Sequence, residues 1–348
     1  MDGFEGPVGC RKLEEGEGIG IFSASSPISS TVPVRYRRGK RYLEEKGFFV
    51  VDGDLCGKQD FYRSGSIRER ADEFNGLLYR EDVQVVMAAI GGNNTNSILP
   101  YIDYEYLKKH PKIVIGYSDT TALLLAIYEK TGIVPFYGPA LASSFGELPP
   151  FVDRTFESFR TLLCQKGFVL PYRYEMPPVW TEEFLDWATQ DRPKKEEKNR
   201  WICVKEGCCE GRLIGGNLNT MEGFFGTEYM PRIREGDILL LEDSLKDACT
   251  IERSFSLLKL AGVFERIRGL ILGKHEKFDD NGTGRKPWDI LLEVAGDVSF
   301  PILAEFDCCH THPMLTLPIG CRYRLDAGKR QVWLLENPLG GRETEDRR

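Results

Sequence analysis

Gly116-Tyr117-Ser118-Asp119-Thr120 stands between an apolar run, Lys112 to Ile115, and a stretch from Ala122 to Ile127 that is apolar nearly all round. Gly-x-Ser-x-small at a strand-to-helix turn suits a nucleophile elbow. The tight turn exposes the hydroxyl, and the helix N-terminus behind it favours developing negative charge. The fifth position is Thr rather than Gly, and from the pentapeptide alone the plainer reading of Ser118-Asp119 is a helix cap. A serine nucleophile needs a base, and the chain has four histidines, His110, His275, His310 and His312. His110 sits between Lys108-Lys109 and Pro111 and reads as a surface loop residue. His275 ends a strand and reads first as a satisfied strand-end histidine. His310 and His312 follow the expected strand Ile302 to Ala304, at a carboxyl end where α/β proteins build sites.

A base needs a group to fix its tautomer. Ile238-Leu239-Leu240-Leu241 ends in Glu242-Asp243, where a carboxylate could accept from an imidazole N–H or simply be solvated. An oxyanion hole needs backbone N–H groups within close reach of a carbonyl. Gly91-Gly92, directly after the run Val83 to Ile90, would permit that approach or form only a turn, and the N–H of Asp119 would supply a second donor. Cys308-Cys309-His310-Thr311-His312 lacks the Cys-x2–4-Cys spacing of zinc sites, so no metal is expected. No Gly-x-Gly-x-x-Gly or Walker-type loop occurs, so no nucleotide cofactor is expected either.

The elements that must hold these residues alternate in the first half. Strands are expected at Ile19 to Phe22, Phe48 to Val51, Val83 to Ile90, Lys112 to Ile115 and Ile133 to Phe136. Helices are expected before Lys46, from Ser66 to Tyr79 and from Thr120 to Lys130. This order argues for an open, mostly parallel sheet with right-handed crossovers. The pattern breaks between about Cys164 and Trp201, where Pro171, Pro177, Pro178, Pro193 and a charge run suggest a linker or a long functional loop. Mixed elements follow: strands at Ile238 to Leu241 and Ile267 to Leu272, a helix from Thr250 to Ala261, and a hairpin around Asp326-Ala327-Gly328. The expected division is 1–165 for the nucleophile domain, 166–205 for linker and loop, and 206–348 for a C-terminal mixed α/β domain, with a frayed tail from Gly340.

The 348 residues are 41% apolar and 28% charged, which excludes a disordered chain, a collagen and a small disulfide scaffold. Forty-six Lys and Arg against 53 Asp and Glu give a formal charge of −7, so no nucleic-acid partner is expected. The basic run Arg35 to Lys40 reads as a solvated helix face. No apolar run reaches the roughly 18–20 residues of a membrane helix. Met1 to Gly18 is acidic, with no apolar core of signal-peptide type, and the ten cysteines include adjacent pairs that cannot readily bridge. Free thiols and a cytoplasmic setting are expected.

In order and spacing the segments resemble the LD-carboxypeptidase family of serine peptidases, from Ile19 to about Leu325. The carriers are Ala89-Ile90-Gly91-Gly92, Ile115 to Ala122, Tyr137-Gly138-Pro139, Gly215-Gly216-Asn217-Leu218, Leu241-Glu242-Asp243, and His310 with Leu317-Pro318-Ile319-Gly320. The resemblance implies a Ser118, Glu242, His310 triad and an oxyanion hole on the backbone of Gly92 and Asp119. It also implies a flavodoxin- or amidotransferase-like first domain and a homodimer. Within the family the chain is most similar to the microcin C self-immunity peptidases, through Val179 to Trp187, Glu242 to Ala248, Leu272 to Glu276 and His310 to Pro318. Two departures from relatives stand out: Tyr137-Gly138-Pro139 where the murein branch tends to carry His-Gly-Pro, and Cys309 where a Gly commonly precedes the histidine. That branch implies hydrolysis of the amide between a peptide or aspartyl carboxyl group and a nucleotide. The substrate-contacting residues would be Gly91, Asn217, Trp180, Trp187 and Lys246, with at least one indole stacking on a base. Two alternatives stand beside it: murein tetrapeptide LD-carboxypeptidase activity in cell-wall recycling, and a non-catalytic small-molecule binder.

Overall fold

The computed structural model describes residues 8–340, so the acidic first seven residues and all of the expected tail except Gly340 lie outside the described residues. The first sheet has six strands, in the spatial order Leu317–Pro318, Phe136–Tyr137, Ile113–Gly116, Val83–Ala88, Gly18–Phe22 and Phe49–Asp52. Every neighbouring pair is parallel except the first, so the sheet is mostly parallel, as the alternation predicts. Its central strand, Val83–Ala88, is buried along its whole length. That suits a strand covered on both faces and explains its near-continuous apolar run, broken only by Gln84. The edge strand Leu317–Pro318 comes from the second half of the chain and fastens the two halves together beside Tyr137.

The second sheet is mixed. Cys208–Asn217, Ile238–Glu242, Gly269–Gly273 and Ile302–Phe306 run parallel, flanked by antiparallel strands on both sides. The long strand Cys208–Asn217 pairs with Arg322–Asp326 along its first half and with Ile238–Glu242 along its second. The hairpin expected around Asp326 is Arg322–Asp326 with Gln331–Leu334. The fold is therefore a two-domain α/β protein with a mostly parallel N-terminal sheet and a mixed C-terminal sheet. Among the described residues no helix is long and apolar enough to cross a membrane.

The proline-rich stretch contributes to this second sheet. Tyr172–Arg173 forms one edge of it and Ile202–Lys205 the other, so the intervening chain crosses from edge to edge. Buried Tyr174 and Trp201 anchor its two ends. The Tyr174 hydroxyl donates to Thr316 O at 3.1 Å, and Trp201 Nε1 donates to Asp307 Oδ2 at 2.8 Å. Strands of two and four residues among prolines carry too little alternation to be read from sequence. The basic run also differs from the expectation of a solvated face. It lies on helix Pro33–Glu45, but Arg35 is fully buried.

Candidate active site

Strand Ile113–Gly116 delivers the chain to a sharp turn at Ser118, whose φ of +59° lies in the left-handed region. A non-glycine residue there costs on the order of 1–3 kcal/mol, which the surrounding structure must offset. Two glycines make room for the turn, and a third lets the neighbouring loop pack against Ser25. A Cβ on Gly116 would lie 2.7 Å from Thr120, and one on Gly91 would lie 2.8 Å from the Ser118 Cβ. Gly92 has φ +154°, and a Cβ there would lie 2.1 Å from the Ser25 hydroxyl. The following helix, Thr121–Thr131, receives no side-chain cap, so the Ser118 hydroxyl is not spent on capping.

That hydroxyl lies 2.9 Å from His310 Nε2, and His310 Nδ1 lies 2.8 Å from Glu242 Oε2. The arrangement fits a tautomer in which Nδ1–H donates to the carboxylate and Nε2 accepts from the serine. Glu242 ends strand Ile238–Glu242 and has no exposed surface. Its other oxygen accepts from the Tyr137 hydroxyl at 2.5 Å and from Asn217 Nδ2 at 3.0 Å. Asn217 is the register partner of Glu242 on the neighbouring parallel strand, which brings its amide to the carboxylate. Tyr137 also accepts from the Ser118 backbone N–H at 3.3 Å, so one phenol touches both ends of the hydrogen-bonded line.

These contacts set the proton affinities. Burial pushes Glu242 up, but His310 and the hydrogen bonds from His310, Tyr137 and Asn217 outweigh it and hold the carboxyl below its ordinary range. Burial pushes His310 down, and Glu242 outweighs that, so its imidazole is more basic than usual. Next to them, burial and the Glu242 charge raise Asp243 to about 6.

Residue 119 does two things at once. Its N–H adjoins Gly91, whose Cβ would lie 3.1 Å from it. Its carboxylate Oδ2 accepts from Asn94 N at 2.8 Å, Thr95 N at 2.9 Å and Thr95 Oγ1 at 2.8 Å. The loop after Val83–Ala88 is thereby tied to the serine turn. Buried Ser25 accepts from Asn93 N and Asn94 N, and buried Arg70 donates to Asn94 Oδ1 at 2.7 Å and Ala24 O at 2.6 Å. Gly91, Gly92 and Ser118 share the wall of a cavity of about 610 Å³, which also meets His310, Trp187 and Lys194.

The other expected contacts divide. Trp187 lines the cavity, with the Arg35 guanidinium 4.4 Å above its ring. Trp180 lies outside the cavity lining, with Lys274 Nζ 5.3 Å from its ring centre. The Asn217 side chain holds Glu242 and caps helix Leu218–Glu222 by accepting from Thr220 N. Lys246 Nζ lies 3.8 Å from Asp243 Oδ1, likewise outside the lining. His275 is held near pKa 4 by burial, with Nδ1 against Gly273 O, and His110 stacks on Tyr106. Sequence reasoning missed Tyr137 as a partner of Glu242, and Lys194 and Glu147 beside the cavity. A tyrosine at the end of a buried strand is the one signal for the first; Lys194 lies in a charged run and Glu147 in a Gly- and Pro-flanked turn, neither of which signals a site.

Residues 19–138 match the family description LD-carboxypeptidase N-terminal domain, and residues 210–325 match LD-carboxypeptidase C-terminal domain. A Vibrio cholerae protein provisionally named a carboxypeptidase is 55% identical over 317 residues, 91% of this chain and 94% of its own length. The microcin C7 self-immunity protein MccF of Escherichia coli is 50% identical, over 96% of this chain and 97% of its own. A solved structure of MccF in complex with aspartyl sulfamoyl adenosine superposes with a TM-score of 0.93 at 50% identity, covering 96% of this chain and all of that one.

Proposed function

The chain belongs to the LD-carboxypeptidase family of serine peptidases, and from that premise we propose that it hydrolyses the amide joining an aspartyl or peptidyl carboxyl group to a nucleotide. The observation that carries the reading is the line Ser118–His310–Glu242, at 2.9 and 2.8 Å, opening on a cavity lined by a tryptophan. The likeness to MccF, and the aspartyl nucleotide in that protein's complex, support the substrate class.

His310 Nε2 removes the Ser118 proton as the oxygen attacks the amide carbonyl. Glu242 holds Nδ1–H in place and stabilises the imidazolium. The N–H groups of Gly92 and Asp119 receive the oxyanion, each donor being worth about 10²–10³ in rate. His310 then protonates the leaving nitrogen. Water, activated by the same imidazole, releases the acyl group from Ser118. Trp187 stacks on the base, held in position by Arg35 behind it. The family resemblance extends the proposal to a homodimer, which light scattering would test.

The experiment is a side-by-side assay on an aspartyl-adenylate amide and a murein tetrapeptide. Higher kcat/KM on the nucleotide amide is expected. Faster release of the terminal residue from the tetrapeptide would assign the chain to cell-wall recycling instead.

A further inference from the structure

We propose that Lys194 forms an anion-binding subsite on the leaving-group side of the cavity, which receives an oxyanion carried within a few bonds of the scissile nitrogen. The inference rests on the acyl-transfer reading of Ser118 and His310, and it adds the feature by which a leaving group is selected.

Lys194 is only 6% exposed, yet its side chain lines the same cavity as Ser118 and His310. Its one ion-pair partner among the described residues is Glu147, at 3.3 Å. That carboxylate is already shared. Its Oε2 accepts from Arg35 at 2.9 Å, and its Oε1 accepts from Gln190 Nε2 at 2.5 Å and Leu148 N at 2.9 Å. Arg35 in turn has its donors committed to Ala142 O, Ser143 O, Gln190 and Glu147, and one of its faces is covered by Trp187. His312 lies 3.6 Å from Glu147 and is kept neutral by burial and the nearby Lys194 charge.

Two cations therefore meet one carboxylate, and one positive charge is left over. Because Arg35 is spent, the surplus sits on Lys194, the one of the two cations that lines the cavity. Glu276 also lines the cavity and its charge acts on Lys194, but no ion pair within 4.0 Å joins the two among the described residues, so the ammonium keeps donors for an incoming group. A buried ammonium with unfilled donors costs free energy that an incoming anion recovers. The placement fixes which part of the substrate carries that anion. Lys194 and His312 share Glu147, and His312 is two residues from the imidazole that protonates the leaving nitrogen. The glycine loop proposed to take the carbonyl oxygen lines the same cavity. A phosphoryl or sulfamoyl group bonded to the amide nitrogen meets this requirement, and so does the carboxylate of a terminal amino acid.

The test uses Ser118→Ala protein, so that ligands persist, and calorimetry with two matched pairs. The pairs are adenosine 5′-monophosphate against adenosine, and a tetrapeptide with a free terminal carboxylate against its carboxamide. We expect the charged member of one pair to bind about ten- to hundredfold more tightly, the range of a charge-assisted contact. Adding Lys194→Met should abolish that preference and leave the neutral member unchanged, while Lys194→Arg should retain most of it. Lys194→Gln repeats the measurement should the methionine variant fold poorly. Lys194-dependent preference in the nucleotide pair supports the subsite with a phosphoryl-type anion. Preference only in the peptide pair supports the subsite with a carboxylate and removes the nucleotide reading. Absence of a Lys194-dependent preference in both pairs overturns the proposal.

Discussion

Replacing Glu242 by Gln should cost far more than the loss of one charge. The reason is which way the amide must face. Oε1 of Glu242 accepts from Tyr137 and from Asn217, and both of these donate. The glutamine oxygen must take that position, since its NH2 there would oppose the Asn217 NH2. The amide NH2 then falls where Oε2 now meets His310 Nδ1 at 2.8 Å. Donor would face donor unless the imidazole changes tautomer, and the proton then moves to Nε2, which faces Ser118. An imidazole protonated there cannot accept the serine proton. In serine hydrolases an error of this kind lowers kcat by about 10⁴, or about 5.5 kcal/mol of transition-state stabilisation. The charge effect has its own sign. Burial lowers the His310 pKa and Glu242 is the main group that raises it, so without that charge burial is opposed only by Glu276 and Asp243 and any residual activity should persist to lower pH than in the parent. The assay is single-turnover hydrolysis of the aspartyl-adenylate amide across pH, with substrate affinity measured separately. A kcat within tenfold of the parent, or an acid limb moved to higher pH, would refute the reasoning.

Four other outcomes are expected. Asp119→Ala removes three hydrogen bonds that hold residues 94–95, so kcat should fall about 10–10³-fold, up to the worth of an oxyanion donor, with KM within a few-fold; steady-state kinetics would separate the two. Gly91→Ala brings a methyl to 2.8 Å from Ser118, and fluorophosphonate labelling of Ser118 should slow sharply while the far-ultraviolet circular dichroism stays native. Trp187→Ala should weaken nucleotide binding by about 1–3 kcal/mol, read by calorimetry, if its ring stacks on the base. Glu147 supplies an acid-stability term. Burial pushes its pKa up, but His312, Arg35 and Lys194 bring it from the ordinary 4.5 to about 2. The depressed value means a contribution present above about pH 4.5 and lost as pH falls toward 2, worth about 3 kcal/mol at about 1.4 kcal/mol per pH unit. Thermal unfolding between those pH values should therefore be flatter in Glu147→Gln than in the parent.

Much of the site was legible because it is built at strand ends, where apolar runs stop and the reactive residue types begin. Ser118 follows Ile113–Gly116, Glu242 closes Ile238–Glu242, and His310 comes soon after Ile302–Phe306. Each run could be read by itself, but only the family resemblance joined residues separated by 68 and 192 positions. Contacts across the two halves were not legible. Tyr137 reaches Glu242 because Phe136–Tyr137 is next to the crossing strand Leu317–Pro318, a pairing of two residues that no periodicity announces. Arg35 illustrates the converse limit. Its neighbours Arg37 and Arg41 are exposed, as a basic helix face should be, yet Arg35 points inward to Glu147 and Trp187. Pattern assigns the helix, whereas the buried carboxylate that justifies an inward arginine comes from 112 residues away.

Covalent capture during turnover bears most directly on the chemistry. The protein would be mixed with an aspartyl-adenylate amide, quenched in acid within milliseconds, digested and weighed by mass spectrometry. The peptide containing Ser118 should carry the mass of the aspartyl group, and the Ser118→Ala protein should carry none and release no nucleotide. Steady hydrolysis by the alanine variant, or an acyl group found on another residue, would contradict the proposed mechanism.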